Sequence, residues 1–218
     1  MDTHLTLTIL SLVSTALFFH LHVVVAIATP HNIAPSPSNV AATNLFFIRN
    51  SCRTTLYPEL CFKSLYRYAE YIQEDPALLA RAAVGVSLNR AKRMANYVSN
   101  LSRKADDEVT EPRVASALRD CFSVFSDAVE QIRDSLQQMF LLDGKGESLR
   151  FQLSNVQTYM SAALTNEDTC TDGFEEISEG PMKKNVCVRS EKVMQLTSNA
   201  LALVNNYVSK VTNYDVEP

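Results

Sequence analysis

From Val114 to Met139 the apolar residues fall at Val114, Leu118, Cys121, Phe125, Ala128, Ile132, Leu136 and Met139. The steps alternate between three and four residues. That rhythm puts every one of them on a single side of an α-helix, and a helix with one apolar side must bury it. Three other segments repeat the pattern. One carries Ala80, Val84, Leu88, Ala91, Ala95 and Val98. The next carries Leu149, Leu153, Val156, Met160 and Ala163, then Cys170, Phe174 and Ile177. The last carries Val186, Val193, Leu196, Ala200, Leu203 and Tyr207. Four such faces joined by short connections close most economically on one another as antiparallel neighbours.

Breaks separate these segments. Asp75-Pro76 and Glu111-Pro112 read as helix starts, with proline at the first helical position. Ser102 to Thr110 is polar and reads as a connection, Asp143-Gly144-Lys145-Gly146 as a turn, and Gly180-Pro181 as the end of the third helix. Upstream, two short helices are expected, one from an Asn44 cap to about Asn50 and one from about Tyr57 to Tyr71. The expected fold is all-α: an up-down-up-down four-helix bundle over 75–211, preceded by a helical hairpin over 44–72. Residues 212–218 read as a tail. With only five glycines and no tryptophan, the chain is poor in turn formers, which argues against a β-sandwich.

Residues 1–28 read as a secretory signal peptide. Leu5 to Ala28 is apolar apart from Thr, Ser and two His, and Ala26-Ile27-Ala28 supplies small residues for cleavage. The apolar run is also long enough to span a bilayer. Cleavage is favoured because a Pro-rich stretch follows at once, so 29–43 reads as an irregular mature N-terminus. Removal of the segment leaves no membrane partner. A secreted chain with five cysteines is expected to hold two disulfides and one odd thiol. Cys52 and Cys61 flank the junction of the two short helices, where a bridge would close the hairpin. Cys121 and Cys170 sit on the apolar stripes of the second and third long helices, which antiparallel packing can bring within bonding range. Cys187 is then the free thiol. Asn100-Leu101-Ser102 is an N-glycosylation sequon.

The missing chemistry is equally informative. The four histidines, His4, His20, His22 and His31, all precede the folded segment. Ser-His-Asp and Cys-His catalysis and histidine-bearing zinc sites are therefore excluded from it. Gly144-Lys145-Gly146-Glu147-Ser148 lacks phosphate-loop spacing. No cofactor and no metal is expected. A net charge of −4 argues against a nucleic-acid partner.

Several segments together resemble the plant invertase and pectin methylesterase inhibitor family. Cys52-Arg53-Thr54-Thr55-Leu56-Tyr57-Pro58-Glu59-Leu60-Cys61 resembles its N-terminal hairpin. Ala117-Leu118-Arg119-Asp120-Cys121 with Asp127-Ala128-Val129 resembles its second bundle helix. Val156-Gln157-Thr158-Tyr159-Met160-Ser161-Ala162-Ala163-Leu164-Thr165-Asn166, followed by Asp168-Thr169-Cys170 and Asp172-Gly173-Phe174, resembles the third. Leu196-Thr197-Ser198-Asn199-Ala200-Leu201-Ala202-Leu203 resembles the last. The resemblance spans about Asn44 to Val211. It implies the pairing Cys52–Cys61 and Cys121–Cys170 with the fifth cysteine free. It also implies a secreted apoplastic or cell-wall protein that is not an enzyme, and that covers the substrate cleft of pectin methylesterase in a 1:1 complex. Carried over position by position, the implied contact residues are Ser123, Asp127 and Glu130 beside one cysteine, and Thr169 and Asp172 beside the other. Ser123-Val124-Phe125 departs from the family's Glu-x-Tyr, so Ser123 stands where a glutamate contact is usual. Carboxylates facing the enzyme's own carboxylates would favour binding at mildly acidic pH.

Two alternatives remain at this stage. One is inhibition of an acid invertase, which the same family includes. The other is a non-enzymatic helical binding module for a ligand or signal, against which the filled stripes leave little space for a cavity.

Overall fold

The computed structural model describes residues 37–107, 111–143 and 146–214, and within them there is no strand. Prolines set most of the boundaries. Helices α1 (Pro37–Cys52), α2 (Pro58–Leu65), α4 (Pro76–Asp107), α5 (Pro112–Phe140) and α7 (Pro181–Tyr214) all begin with one. At that position the missing N–H has no intrahelical acceptor to lose, and the fixed φ already suits a helix. Between α2 and α4 lie a 3₁₀ turn, Tyr66–Tyr68, and the single-turn α3 (Ala69–Ile72). Helix α6 (Glu147–Asp172) starts instead after Gly146, whose φ of +60° and ψ of −130° suit glycine alone. Asp75 caps α4 through its side chain: Oδ1 accepts from the N–H groups of Ala77 and Leu78 at 2.7 and 3.2 Å.

Helices α4, α5, α6 and α7 pack in a ring. Each lies against its neighbour in the chain, and α7 returns to α4. The stripes face inward: Val84, Val98, Phe125, Ile132, Leu153, Met160, Val186 and Ala200 have no exposed surface. At one end Arg81 of α4 donates from Nη2 to the carbonyl of Met139 at 2.8 Å and lies over the ring of Phe140. A cation thus meets the carbonyl end of α5, where the helix dipole favours it. Helix α2 rests on α4 and α7. There Asn199 of α7 accepts from the N–H of Tyr57 at 3.1 Å and donates to its carbonyl at 2.9 Å. The hairpin is therefore tied to the bundle by a side-chain amide as well as by packing.

Several expected boundaries moved. Helix α1 begins at Pro37, so residues 37–43 are not irregular. Asn44 is a buried interior residue rather than a cap, because Ala41 and Ala42 are strong helix formers that extend the helix backward. The second hairpin helix stops at Leu65, where the weak helix formers Tyr66 and Tyr68 tighten into the 3₁₀ turn. Helix α4 runs on to Asp107, well into the segment read as a polar break, since Ser102 and Ala105 continue the buried stripe beyond Val98. Helix α6 ends at Asp172, so Phe174 and Ile177 leave helical geometry, yet Phe174 stays fully buried in the turn. Helix α7 continues to Tyr214, past the expected end at 211. The signal peptide over 1–28, the stretch 29–36, residues 108–110 of the expected connection, Gly144-Lys145 and residues 215–218 lie outside the described residues. Among the described residues no helix is long and apolar enough to cross a membrane.

Candidate partner-binding face

Cys121 of α5 and Cys170 of α6 are disulfide-bonded, with Cα atoms 4.3 Å apart. Cys52 and Cys61 are bonded likewise, with Cα atoms 5.6 Å apart. Both bridges are buried. The first draws α5 and α6 together at the end of their hairpin opposite its turn. Near that seam, Asn166 of α6 donates to Oε1 of Gln131 at 3.0 Å. Asp127 precedes Gln131 by one helical turn, and Thr169 follows Asn166 by one, so both flank the same seam. Asp172 comes one turn after Thr169. Ser123, Asp127, Thr169 and Asp172 are all exposed. The Thr169 hydroxyl donates to the carbonyl of Thr165 at 2.9 Å, which fixes its rotamer along the helix.

Glu130 is exposed too, but it faces elsewhere. It borders a depression of about 370 Å³ between α4 and α5, with Lys92 and Asn96 on the opposite wall. Three residues of helix turn the side chain about 300° from Asp127, which carries it toward α4. The five expected contact residues therefore do not form one patch: Asp127 and Thr169 flank the α5–α6 seam, Asp172 follows one turn after Thr169, and Ser123, two turns before Glu130, shares the side of α5 that Glu130 takes. The sequence reading also missed Asp120 and Asp134. They stand seven residues either side of Asp127, two turns each, and both are exposed. No ion pair among the described residues engages any of the three. The seam thus presents a row of free carboxylates.

This surface accepts hydrogen bonds and holds negative charge; it carries no nucleophile activated by a base. Among the described residues no group of three or more His, Cys, Asp or Glu could hold a metal ion. Cys187 is unbridged and partly buried. Burial raises its thiol above the ordinary value, with Lys183 pulling the other way, so it is held as thiol rather than reactive thiolate. Asn100 is exposed but sits within α4, not on the loop usual for a sequon, and its side-chain oxygen accepts from Arg103.

One titratable group lies deep inside the ring. Glu167 of α6 is fully buried. Its Oε1 accepts from the Thr197 hydroxyl of α7 at 2.9 Å, and Thr197 in turn lies 2.6 Å from the Ser87 hydroxyl of α4. Oε2 has no partner. Desolvation pushes this carboxyl from 4.5 up to about 8, opposed only partly by the Thr197 hydrogen bond.

Comparison with known proteins gives a consistent result. The family model described as plant invertase/pectin methylesterase inhibitor matches residues 47–203. A 21 kDa protein of Daucus carota is 37% identical over 199 residues, which cover 90% of this chain and 96% of that one. Pectinesterase inhibitor 11 of Arabidopsis thaliana is 36% identical over 188 residues, covering 85% and 92%. A crystal structure of a mutant pectin methylesterase inhibitor from Arabidopsis is similar with a TM-score of 0.56, at 21% identity over 71% of this chain and 92% of that one. That last likeness bears on the fold.

Proposed function

Since the chain belongs to the plant invertase/pectin methylesterase inhibitor family, we propose that it is a secreted, cell-wall inhibitor of a pectin methylesterase. It would bind one enzyme molecule and cover its substrate cleft. The observation that carries this reading is the match, over nearly the full length of both chains, to a relative named as a pectinesterase inhibitor. The α5–α6 seam supports the mode of action. It is a surface stapled by Cys121–Cys170, braced by the Asn166–Gln131 contact and lined with exposed carboxylates, and it needs no chemistry of its own to occlude a cleft. A specific interface buries about 1,600 Å² in total, which two adjacent helices can supply half of. Signal-peptide removal after Ala28 and modification of Asn100 belong to the same reading.

The direct test is inhibition by the purified secreted protein of a pectin methylesterase and, in parallel, of an acid invertase. Inhibition of the esterase, with no methanol released from pectin by the protein alone, is the expected outcome. Inhibition of the invertase alone would assign the chain to the other activity of its family.

A paired substitution locates the surface. Thr169→Trp with Asp172→Lys places bulk and opposite charge on the seam, and inhibition should fall at least about tenfold, equivalent to about 1.4 kcal/mol. Stability should change by no more than about 0.5 kcal/mol, because both positions are exposed. Unchanged inhibition constants would move the interface off α6.

A further inference from the structure

The face of the ring opposite the α5–α6 seam, where α7 meets α4 and α2 lies over both, has the reverse charge. A groove of about 400 Å³ runs there, walled by Lys63 of α2, Arg67 of the 3₁₀ turn, Arg90 and Arg93 of α4, and Lys192 of α7. It continues into a second hollow of about 210 Å³ that shares Arg90, Arg93 and Lys192 and adds Arg189. Six of the chain's 20 lysines and arginines thus line one concavity on a protein whose net charge is −4. No carboxylate lines either hollow. No ion pair among the described residues engages any of the six; Arg49 pairs with Glu59, Arg119 with Asp106 and Lys183 with Glu179 elsewhere on the molecule. Clustered cations without counter-charges repel one another, and a low-dielectric wall focuses their field on whatever enters.

We propose that this groove binds a linear polyuronate chain, through carboxylates that pair with Arg90, Arg93, Lys192 and their neighbours. The choice of ligand rests on the inhibitor reading above: hydrolysis of pectin methyl esters leaves carboxylates along a sugar polymer, so the target enzyme's own product is a polyanion. The shape agrees. From Val86 to Tyr97 the α4 wall is about 17 Å long at 1.5 Å per residue, a linear track rather than a point site. Arginine forks match carboxylates in a bidentate manner. Nε of Arg67 already donates to the Tyr66 hydroxyl at 3.2 Å, which leaves the outer edge of its fork for a ligand. Leu60, Val86 and Leu196 give the walls apolar stretches for sugar C–H faces. Packed helices lie about 8–10 Å apart, so a concavity between them is too narrow to seat duplex DNA and is set back from a flat membrane. The acidic seam and the basic groove lie on opposite sides of the ring, so enzyme and polymer can be held together.

The experiment measures binding of the inhibitor alone to polygalacturonate, with highly methyl-esterified pectin, anionic lipid vesicles and duplex DNA as comparison ligands. Polygalacturonate should bind, binding should weaken as salt screens it, and the esterified polymer should fail. The variant Arg90→Gln/Arg93→Gln/Lys192→Gln should bind at least about tenfold more weakly, with an unaltered melting temperature and unaltered esterase inhibition. Absence of polygalacturonate binding, equal binding by the variant, or equal affinity for DNA or vesicles would overturn the assignment. Because the binding assay contains no enzyme, its failure is distinct from failure of the inhibitor reading, which the inhibition assay reports separately.

Discussion

Glu167→Gln should abolish most of the loss of stability that the wild-type protein undergoes between pH 5 and pH 8. The glutamate is fully buried among Ser87 of α4 and Thr197 and Ser190 of α7, none of which carries charge. Its carboxyl titrates near 8 in the folded protein against 4.5 ordinarily, because burial penalises the charged form. Below pH 4.5 both folded and unfolded chains hold the proton, and folding is unaffected by it. Between 4.5 and 8 the unfolded chain releases the proton while the folded chain retains it. The unfolded state then binds fewer protons, so stability falls as pH rises and levels off above the folded value. The loss is on the order of 5 kcal/mol, from about 1.4 kcal/mol per pH unit. Glutamine preserves the shape, has no charge to bury, and keeps an oxygen to accept from Thr197.

The measurement is urea unfolding of both proteins at intervals from pH 4.5 to pH 8.5. The wild type should lose stability across that range, and the variant should be nearly flat, so the two curves diverge toward high pH. Parallel curves would show that Glu167 ionises in the folded protein without penalty, or reaches water. The same variant separates two sources of pH dependence in inhibition. Carboxylate crowding at the enzyme contact would persist in Glu167→Gln, whereas weakening that follows from a loosened bundle would vanish.

Glu167 also shows what periodicity can and cannot reveal. The stripe of α6 reads Met160, Ala163, Glu167, Cys170, and the glutamate occupies a core position by spacing alone. Apolar spacing alone does not mark it, because the residue at that core position is charged. Ser87, Ser190 and Thr197 are equally hidden from apolar spacing, although each is buried on the inward face of its helix. The four long helices, both bridges and the burial of the stripes were legible because they depend on pattern. Helix ends were less so. Whether Ser102 ends a helix or continues one depends on whether a neighbour covers it, which is a tertiary fact. The candidate face was legible in part. Its residue types followed from the resemblance, but the orientation of Glu130 toward α4, and the row Asp120, Asp127 and Asp134, depend on which side of α5 each neighbour takes.

Replacing Cys121 and Cys170 together with alanine should lower the stability of the bundle by about 4 kcal/mol, from the loop-closure entropy of a bridge separated by 49 residues. For a chain of this size that corresponds to a melting temperature lower by about 8–16 °C. Alanine avoids leaving a buried hydroxyl, so the effect reports the bridge rather than an unpaired polar group. The same pair of substitutions at Cys52 and Cys61 should cost about 3 kcal/mol, because that loop spans only nine residues of separation. Function should separate the two variants more sharply than stability does. The turn between α5 and α6 ties one end of that hairpin, where Asp143 and Gln152 exchange two hydrogen bonds. Cys121–Cys170 ties the other end, beside Thr169 and Asp172. Without it the seam is held there by packing and by the Asn166–Gln131 contact alone, so Ser123 and Asp127 lose their fixed spacing from α6. Esterase inhibition by the Cys121/Cys170 variant should therefore weaken even at temperatures where circular dichroism shows it fully folded. The Cys52/Cys61 variant, whose bridge lies in the hairpin, should inhibit as the wild type does. Equal inhibition by both folded variants would show that the contact surface does not depend on the α5–α6 seam.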